Sequence, residues 1–213
     1  TTAGTLTYVG SQGIDTLTIT AAHVSTSTIT GGLGADIISL GAAGAVETII
    51  MTTGGAIAVD EVTNFIVAVG EDELVVDLSD LNALVGTLTK SDGLAASAAV
   101  ATSGGTVTIA AAAAHDFGAT IADLTTITGA TAYTVASLET AMEGAATSGG
   151  TTAGDAFLIM YDDTTNSYLA YVTDNVGTVN GANFTDITVT NILELSGVGA
   201  AETFLNTSFA IVA

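Results

Sequence analysis

Short apolar runs rich in threonine, valine and isoleucine recur through the first 51 residues, with polar and glycine-containing turns between them. Each run is about five residues long and begins roughly ten residues after the previous one. β-Branched runs with turn residues between them are typical of strands, and this regular spacing indicates stacked coils. The pattern predicts a parallel β-roll or solenoid with strands at residues 5–9, 16–20, 26–30, 36–40 and 47–51.

The middle of the chain is less regular. Residues 60–84 predict two strands around the turn Gly-Glu-Asp, followed by a short turn or helix from Ser79. Residues 91–130 are low in complexity; 104–114 fit a strand, and 119–127 fit either a strand or a helix. A helix is predicted over 135–144, where three apolar residues form one stripe and a glycine ends it: Val135, Leu138, Met142 and Gly144.

Strand patterns return towards the C-terminus. A hairpin is predicted for residues 155–163 and 167–175, a third strand for 186–198, and a last strand for 208–213. The predicted fold class is therefore mainly β. A β-roll or solenoid-like part (residues 1–90) is followed by a β-rich C-terminal domain (residues 91–213) with one or two short helices.

The charge of the chain restricts its partners. Among 213 residues, 22 are acidic and only Lys90 is basic, which gives a formal net charge of -21. Nucleic acid and anionic membrane surfaces would repel such a chain, so neither nucleic-acid binding nor membrane insertion is expected. The acidity fits either a solvated surface or the binding of a hard divalent cation, Ca²⁺. Because the chain has no cysteine, bound metal and assembly are the expected substitutes for disulfides.

Two nine-residue segments share a pattern that is suited to calcium binding. Residues 31–39 read Gly-Gly-x-Gly-x-Asp-x-apolar-x, and residues 10–18 match this with serine in place of the second glycine. Their aspartates, Asp15 and Asp36, are 21 residues apart, close to one full turn of a roll, so the two turns are expected to stack.

Glycine permits positive φ and lets carbonyl groups point at a shared ion, while each aspartate supplies one carboxylate. The alternative is a pair of glycine-rich turns that contain aspartate by chance. The predicted calcium ligands are Asp15, Asp36 and the carbonyl groups of Gly10, Gly13, Gly31 and Gly34, with Glu47, Asp60, Asp72 and Asp77 as further candidate carboxylates.

These segments resemble the nonapeptide repeats of RTX proteins. Residues 59–81 are similar to the segment that caps such repeats, and residues 161–175 resemble a late hairpin of RTX C-terminal regions. The resemblance covers parts of 5–84 and 155–213. It implies calcium binding after export and an uncleaved type I secretion signal at the C-terminus, which the apolar, uncharged residues 204–213 fit.

The expected function is structural. By resemblance to RTX-type S-layer proteins, we expect a secreted, calcium-binding protein at the surface of a Gram-negative-type bacterium. It would assemble with itself into a layer or filament, and a cell-surface polysaccharide is a second candidate partner. The alternative is a C-terminal export and folding module of a larger exoenzyme, toxin or adhesin. No enzyme activity is expected, because HExxH and GxSxG motifs are absent and His23 and His115 have no partner motif.

Two further groups have open interpretations. Asp162 and Asp163 could form a second calcium site with Asp174 across the hairpin, or could be a solvated hairpin tip. The tyrosines of the hairpin could belong to the core, to an interface or to a ligand site; they are Tyr161, Tyr168 and Tyr171.

Overall fold

The computed structural model describes residues 4–20, 25–41, 45–52, 58–68, 70–77, 100–103, 106–108, 125–128, 133–145, 152–154, 156–179, 182–199 and 209–212. The strands of the N-terminal part are β1 (Leu6–Val9), β2 (Thr16–Thr18), β3 (Ser27–Thr30), β4 (Ile37–Ser39), β5 (Glu47–Met51), β6 (Asp60–Thr63) and β7 (Glu73–Asp77). Those that follow are β8 (Val100–Ser103), β9 (Thr106–Thr108), β10 (Thr125–Thr128), β11 (Ala156–Asp162), β12 (Ser167–Asp174), β13 (Ile187–Ser196) and β14 (Phe209–Val212), with the helix α1 at Val135–Ala145.

The first seven strands alternate between two sheets. The four odd strands and β14 form a five-stranded sheet in the order β1-β3-β5-β7-β14, in which every neighbouring pair is parallel. The even strands begin a nine-stranded sheet in the order β2-β4-β6-β13-β12-β11-β10-β8-β9. The expectation of a mainly β chain with parallel strands is confirmed, and the five predicted runs of the first 51 residues are all strands.

Side chains at alternating positions fill the space between the sheets. In β5, Ile49 and Met51 are buried while Thr48 and Ile50 are only partly buried. The aligned residue of β3, Ile29, is fully buried. This period of two is what a strand with one core-facing side dictates.

The C-terminal strands join both sheets. The predicted hairpin is confirmed as β11 and β12, which pair antiparallel, and β13 pairs antiparallel with β12 and parallel with β6. The predicted last strand, β14, lies parallel to β7. Both sheets therefore contain strands from either side of residue 90, and the division into domains at that point stays a prediction.

The predicted helix is confirmed as α1. Its N-terminus is capped reciprocally, because Ser137 N–H donates to Thr134 Oγ1 (3.2 Å) and Thr134 N–H donates to Ser137 Oγ (2.9 Å). Leu138 and Met142 are fully buried in the core, as the stripe predicted. No helix within the described ranges is long and apolar enough to cross a membrane.

The remaining expectations are partly answered. Within 104–114 the structure has β9, and the ambiguous segment 119–127 ends in β10, which is a strand. The turn or helix expected from Ser79 lies outside the described residues.

Leu138→Ala should lower the free energy of unfolding by about 2–5 kcal/mol, because it leaves a cavity beneath α1 at a fully buried position. Thr140→Ala, on the exposed side of the same helix, is the control and should change stability by less than about 0.5 kcal/mol. Urea unfolding followed by circular dichroism measures both; equal effects would contradict the packing of α1 on the core.

Candidate functional site

The two glycine turns stack directly on each other. A Cβ placed on Gly10 would overlap the carbonyl oxygen of Gly31, and one on Gly34 would lie 2.8 Å from the carbonyl carbon of Gly13. Gly34 also has a φ of 118°, which favours glycine. The N–H of Leu33 donates to the carbonyl oxygen of Ser11 (3.0 Å) across the two turns. The structure thus brings together the two turns that the sequence predicted to stack.

The aspartates of these turns form a ladder of hydrogen bonds. Asp15 N–H donates to Asp36 Oδ1 (2.8 Å), and Asp36 N–H donates to Asp60 Oδ1 (2.9 Å). At the outer end, Ser11 N–H donates to Asp15 Oδ2 (2.5 Å). We call Asp15, Asp36 and Asp60 the aspartate ladder; it lies where the chain passes from an odd strand into an even one. Each link between two aspartates joins one coil to the next.

One carboxylate oxygen of the ladder is buried without a hydrogen bond. Asp36 is 1% exposed, and its Oδ2 has no hydrogen-bond partner. A Cβ on Gly31 would collide with this oxygen, so a larger residue there would displace the Asp36 carboxylate. An unpaired buried oxygen on a charged group is costly, and such an atom marks a place where a proton or cation would be favourable.

Burial and neighbouring charge weaken the acidity of Asp36 and Asp60. Burial raises the pKa of Asp36. The N–H that Asp15 donates lowers this pKa in part, and the negative charge of Asp15 raises it. Burial likewise raises the pKa of Asp60 to about 7; the N–H of Asp36 opposes the shift and the charge of Asp36 supports it. Asp36 and Asp60 are therefore less acidic than ordinary aspartates.

A second carboxylate pair lies at the other set of turns, where the chain passes from an even strand into an odd one. Glu47 N–H donates to Asp72 Oδ1 (3.1 Å), and Ile66 N–H donates to Asp72 Oδ2 (2.8 Å). Glu47 is 2% exposed and its Oε1 has no hydrogen-bond partner. Burial raises the pKa of Glu47 to about 7, and a hydrogen bond between its side chain and that of Asp72 and the charge of Asp72 add to this.

Asp36 and Glu47 occupy the first core-facing position at the start of their strands, β4 and β5. Asp36 stands two residues before the buried Ile38, and Glu47 stands two residues before the buried Ile49. The aligned Ser27 in β3 is also buried and was missed by the sequence reasoning. The sequence pattern that indicates this burial is a polar residue at the start of a strand, two positions before an aliphatic residue of the core.

The oxygen atoms of the stacked turns are of the chemical types that calcium binds. Calcium prefers carboxylate and carbonyl oxygens in a flexible shell. The stacked turns offer the unpaired Asp36 Oδ2, next to Gly31, and their main-chain carbonyl groups are donors of the second kind. Within the described ranges, no three or more His, Cys, Asp or Glu side chains form a group that could hold a metal ion. Carbonyl oxygens would therefore supply most of the ligands. The side chain of Asp77 lies outside the described residues.

The hairpin does not form the second calcium site that the sequence suggested. Asp162 is aligned with Ser167 at the tip, whereas Asp174 ends β12 at the opposite end of the hairpin. At the tip, Asp163 Oδ1 accepts the N–H groups of Thr165 (2.9 Å) and Asn166 (2.8 Å). That candidate set is wrong, because an antiparallel pair keeps the two ends of a hairpin apart.

Two tyrosines of the hairpin belong to the core. Tyr161 and Tyr171 are buried in the core cluster, and the hydroxyl of Tyr161 donates to Asn191 Oδ1 (2.8 Å). Tyr168 is partly buried and stacks on Tyr161 with ring centroids 5.1 Å apart. The histidines His23 and His115, together with Lys90 and residues 204–208 of the predicted export tail, lie outside the described residues.

Gly10→Ala should destabilise the N-terminal coils, because its Cβ would meet the carbonyl oxygen of Gly31. We expect a loss of about 2 kcal/mol or more in the free energy of unfolding. Gly4→Ala is the matched control, since nothing lies within 4 Å of its Cβ. Thermal unfolding distinguishes the two, and equal melting temperatures would contradict the stacking of the turns.

In a chelator, the stability of the protein should fall as the pH rises from about 4 to about 7. The folded protein holds the pKa of Asp60 and Glu47 at about 7, above ordinary values of 3.8 and 4.5, so it binds more protons than the unfolded chain in this window. Their contribution is complete below the ordinary values and lost as the pH passes the raised ones.

The variant Asp60→Asn keeps the oxygen that accepts Asp36 N–H but removes the titration. It should therefore reduce the slope of melting temperature against pH, and Glu47 should maintain the remainder. Asp186→Asn at an exposed position is the control. A wild-type stability that rises with pH across this window would refute the burial of these carboxyl groups.

In comparisons with known proteins, no family model, no curated sequence and no solved structure matches this chain.

Proposed function

We propose that this chain is a secreted, calcium-binding structural protein that assembles with itself into a surface layer or an extracellular filament. The observation that carries the proposal is the stack of two Gly-x-x-Gly-x-Asp turns beside the buried, unpaired Asp36 Oδ2. The proposed role is structural rather than catalytic.

The proposed fold of the N-terminal part is a β-roll. Odd and even strands alternate between two sheets, and each strand lies parallel to the strand two places later in the chain, as in the series β1, β3, β5 and the series β2, β4, β6. This is the strand order that a coiled chain produces when every coil contributes one strand to each sheet. The aspartate ladder then runs along one set of turns.

Calcium would be held by the carboxylates of Asp15 and Asp36 and by carbonyl oxygens of the glycine turns. When bound, it supplies positive charge to a row of carboxylates that otherwise repel one another at successive coils. Binding would then favour the folded coils over the unfolded chain, which lacks the arranged oxygens. Folding would depend on the calcium concentration and would be completed outside the cell, where calcium is abundant.

Charge also connects calcium to assembly. The chain carries a formal net charge of -21, so copies packed side by side repel unless cations lie in the turns or between neighbours. Sodium ions screen this repulsion, but calcium can in addition bridge carboxylates from two chains. We therefore expect the partner of this chain to be the chain itself.

Removing calcium with a chelator at constant ionic strength should dissolve the assemblies, and restoring calcium should rebuild them. Asp36→Asn should raise the calcium concentration required by about tenfold, because it removes a ligand charge at the stacked turns. Asp186→Asn is the matched control at an exposed carboxylate away from these turns. Electron microscopy and light scattering measure assembly, and calorimetry measures calcium binding.

Assemblies that survive prolonged chelation, or that sodium chloride alone rebuilds equally well, would refute calcium-driven assembly. Calcium binding by a protein that remains monodisperse would instead favour the export and folding module of a larger exoenzyme, toxin or adhesin. Absence of calcium binding would refute both functions.

A further inference from the structure

A row of buried polar residues lies at the turns where the chain passes from an even strand into an odd one. Glu47 is aligned with Ser27 of the preceding coil. Thr48 is aligned with Glu73, so Asp72 stands beside Glu47 on the following coil. The side chains of this row are at most 2% exposed. The sequence grouped Glu47 and Asp72 with the aspartates of the stacked turns, but the structure places them at a separate position.

The carboxyl groups of Glu47 and Asp72 are in direct contact. Their side chains form a hydrogen bond, which two ionised carboxylates cannot do because neither has a proton to donate. The two oxygens of Asp72 also accept the N–H groups of Glu47 and Ile66, which holds this carboxylate in place. The pair therefore needs positive charge between its oxygens, supplied by a proton or by a cation.

A proton alone leaves one oxygen of the pair without a partner. Glu47 Oε1 is buried and has no hydrogen bond, so the contact with Asp72 is made by the other oxygen. Oε1 lies 3.5 Å from the position that a Cβ on Gly41 would occupy, and the carbonyl oxygen of Thr20 lies 3.5 Å from the same position. A carboxylate oxygen and a carbonyl oxygen, which both accept, thus border one space. A cation there would satisfy both of them.

The composition of the chain favours a cation from outside. Lys90 is its only lysine, and there is no arginine to accompany it against 22 acidic residues. Buried charges in proteins are either paired or bound to metal. A divalent cation balances two ionised carboxylates, whereas sodium would leave one negative charge buried. Calcium accepts an irregular shell of carboxylate and carbonyl oxygens, whereas magnesium retains several water ligands and suits more open sites.

We propose that Glu47, Asp72 and the carbonyl oxygen of Thr20 hold a buried calcium ion, which we call the inner ion. This site goes beyond the proposed function, because it shares no ligand with the stacked turns. Its ligands come from three successive turns between even and odd strands, so the ion fixes each of these coils to the next.

Burial separates the inner ion from an ion at the stacked turns. The carboxylates of Glu47 and Asp72 are at most 2% exposed, so the inner ion exchanges only when the coils open locally. Asp15 at the stacked turns is only partly buried, so an ion there exchanges with solvent faster. The inner ion is therefore a structural ion, and the ion at the stacked turns responds to the calcium concentration around the protein.

The number of calcium ions bound per full chain, measured by equilibrium dialysis and calorimetry, tests the inner ion. Glu47→Gln should bind one ion fewer than wild type, because it removes a ligand charge while its amide donates to Asp72 in place of the proton. Glu73→Gln is the matched control. Glu73 follows Asp72 directly, but the alternation of a strand directs its side chain to the other side of the sheet, so this variant should bind as many ions as wild type.

Gly41→Ala tests the same site with every carboxylate retained. Its Cβ would make ordinary contacts of 3.5 Å with Glu47 Oε1 and with the carbonyl oxygen of Thr20, so the chain should fold. The methyl group occupies the space beside these oxygens and should weaken binding of the inner ion by about tenfold. Circular dichroism and melting temperature verify that each variant is folded.

Release of calcium into a fluorescent chelator, followed by stopped flow, separates the two ions. Wild type should release one ion at least about tenfold more slowly than the other, because the slow one waits for local opening. Glu47→Gln should lose the slow phase, and Asp36→Asn should lose the fast one.

Equal calcium counts in wild type, folded Glu47→Gln and folded Gly41→Ala would overturn the proposal, because a proton or a water molecule would then suffice at this pair. Magnesium that binds there as tightly as calcium would overturn the assignment of the ion. A fast phase without a slow phase would refute the inner ion and leave the proposed function intact. A slow phase that Glu47→Gln removes, together with a fast phase that Asp36→Asn leaves unchanged, would support the inner ion and refute the site at the stacked turns.

Discussion

The hydrogen bond from a main-chain N–H to a carboxylate of the neighbouring coil is the interaction on which the N-terminal half depends. In the aspartate ladder, Asp15 and Asp36 each donate in this way to the aspartate of the following coil, and Glu47 donates similarly to Asp72 at the other set of turns. Each bond satisfies a donor at a turn, where sheet pairing has ended. It also sets the position of one coil on the next, so the core aliphatics that follow the acids align in layers.

The same arrangement is electrostatically unfavourable at neutral pH. Each carboxylate that accepts an N–H has another carboxylate one coil away, and burial deprives both of water. The raised pKa values of Asp60 and Glu47, both about 7, express this cost at neutral pH. Protons reduce it in acid, and a divalent cation among the turn oxygens would reduce it at neutral pH. The stability of these coils is thereby linked to the ions that surround the protein.

Carboxylates elsewhere in the protein also accept main-chain N–H groups. On α1, Glu139 and Glu143 accept the N–H groups of Val189 (2.8 Å) and Ile187 (3.1 Å) in β13. At the hairpin tip, burial alone would raise the pKa of Asp163, but the N–H groups of Asn166 and Thr165 outweigh it and lower that pKa. These carboxylates cap main-chain N–H groups. The unpaired oxygens of Asp36 and Glu47 distinguish the turn carboxylates from such caps.

Local sequence determined much of this protein. The short β-branched runs gave strands, the stripe with Leu138 gave a helix, and the spacing of Asp15 and Asp36 gave two turns that stack, because periodicity and glycine act over a few residues. Only the tertiary structure decided which strands became neighbours. It placed β14 beside β7 and β13 beside β6, separated Asp174 from the hairpin tip, and assigned Glu47 and Asp72 to a different set of turns from the ladder. Such pairings join distant parts of the chain, and they are chosen by burial and by hydrogen-bond completion across the whole fold, which no local pattern contains.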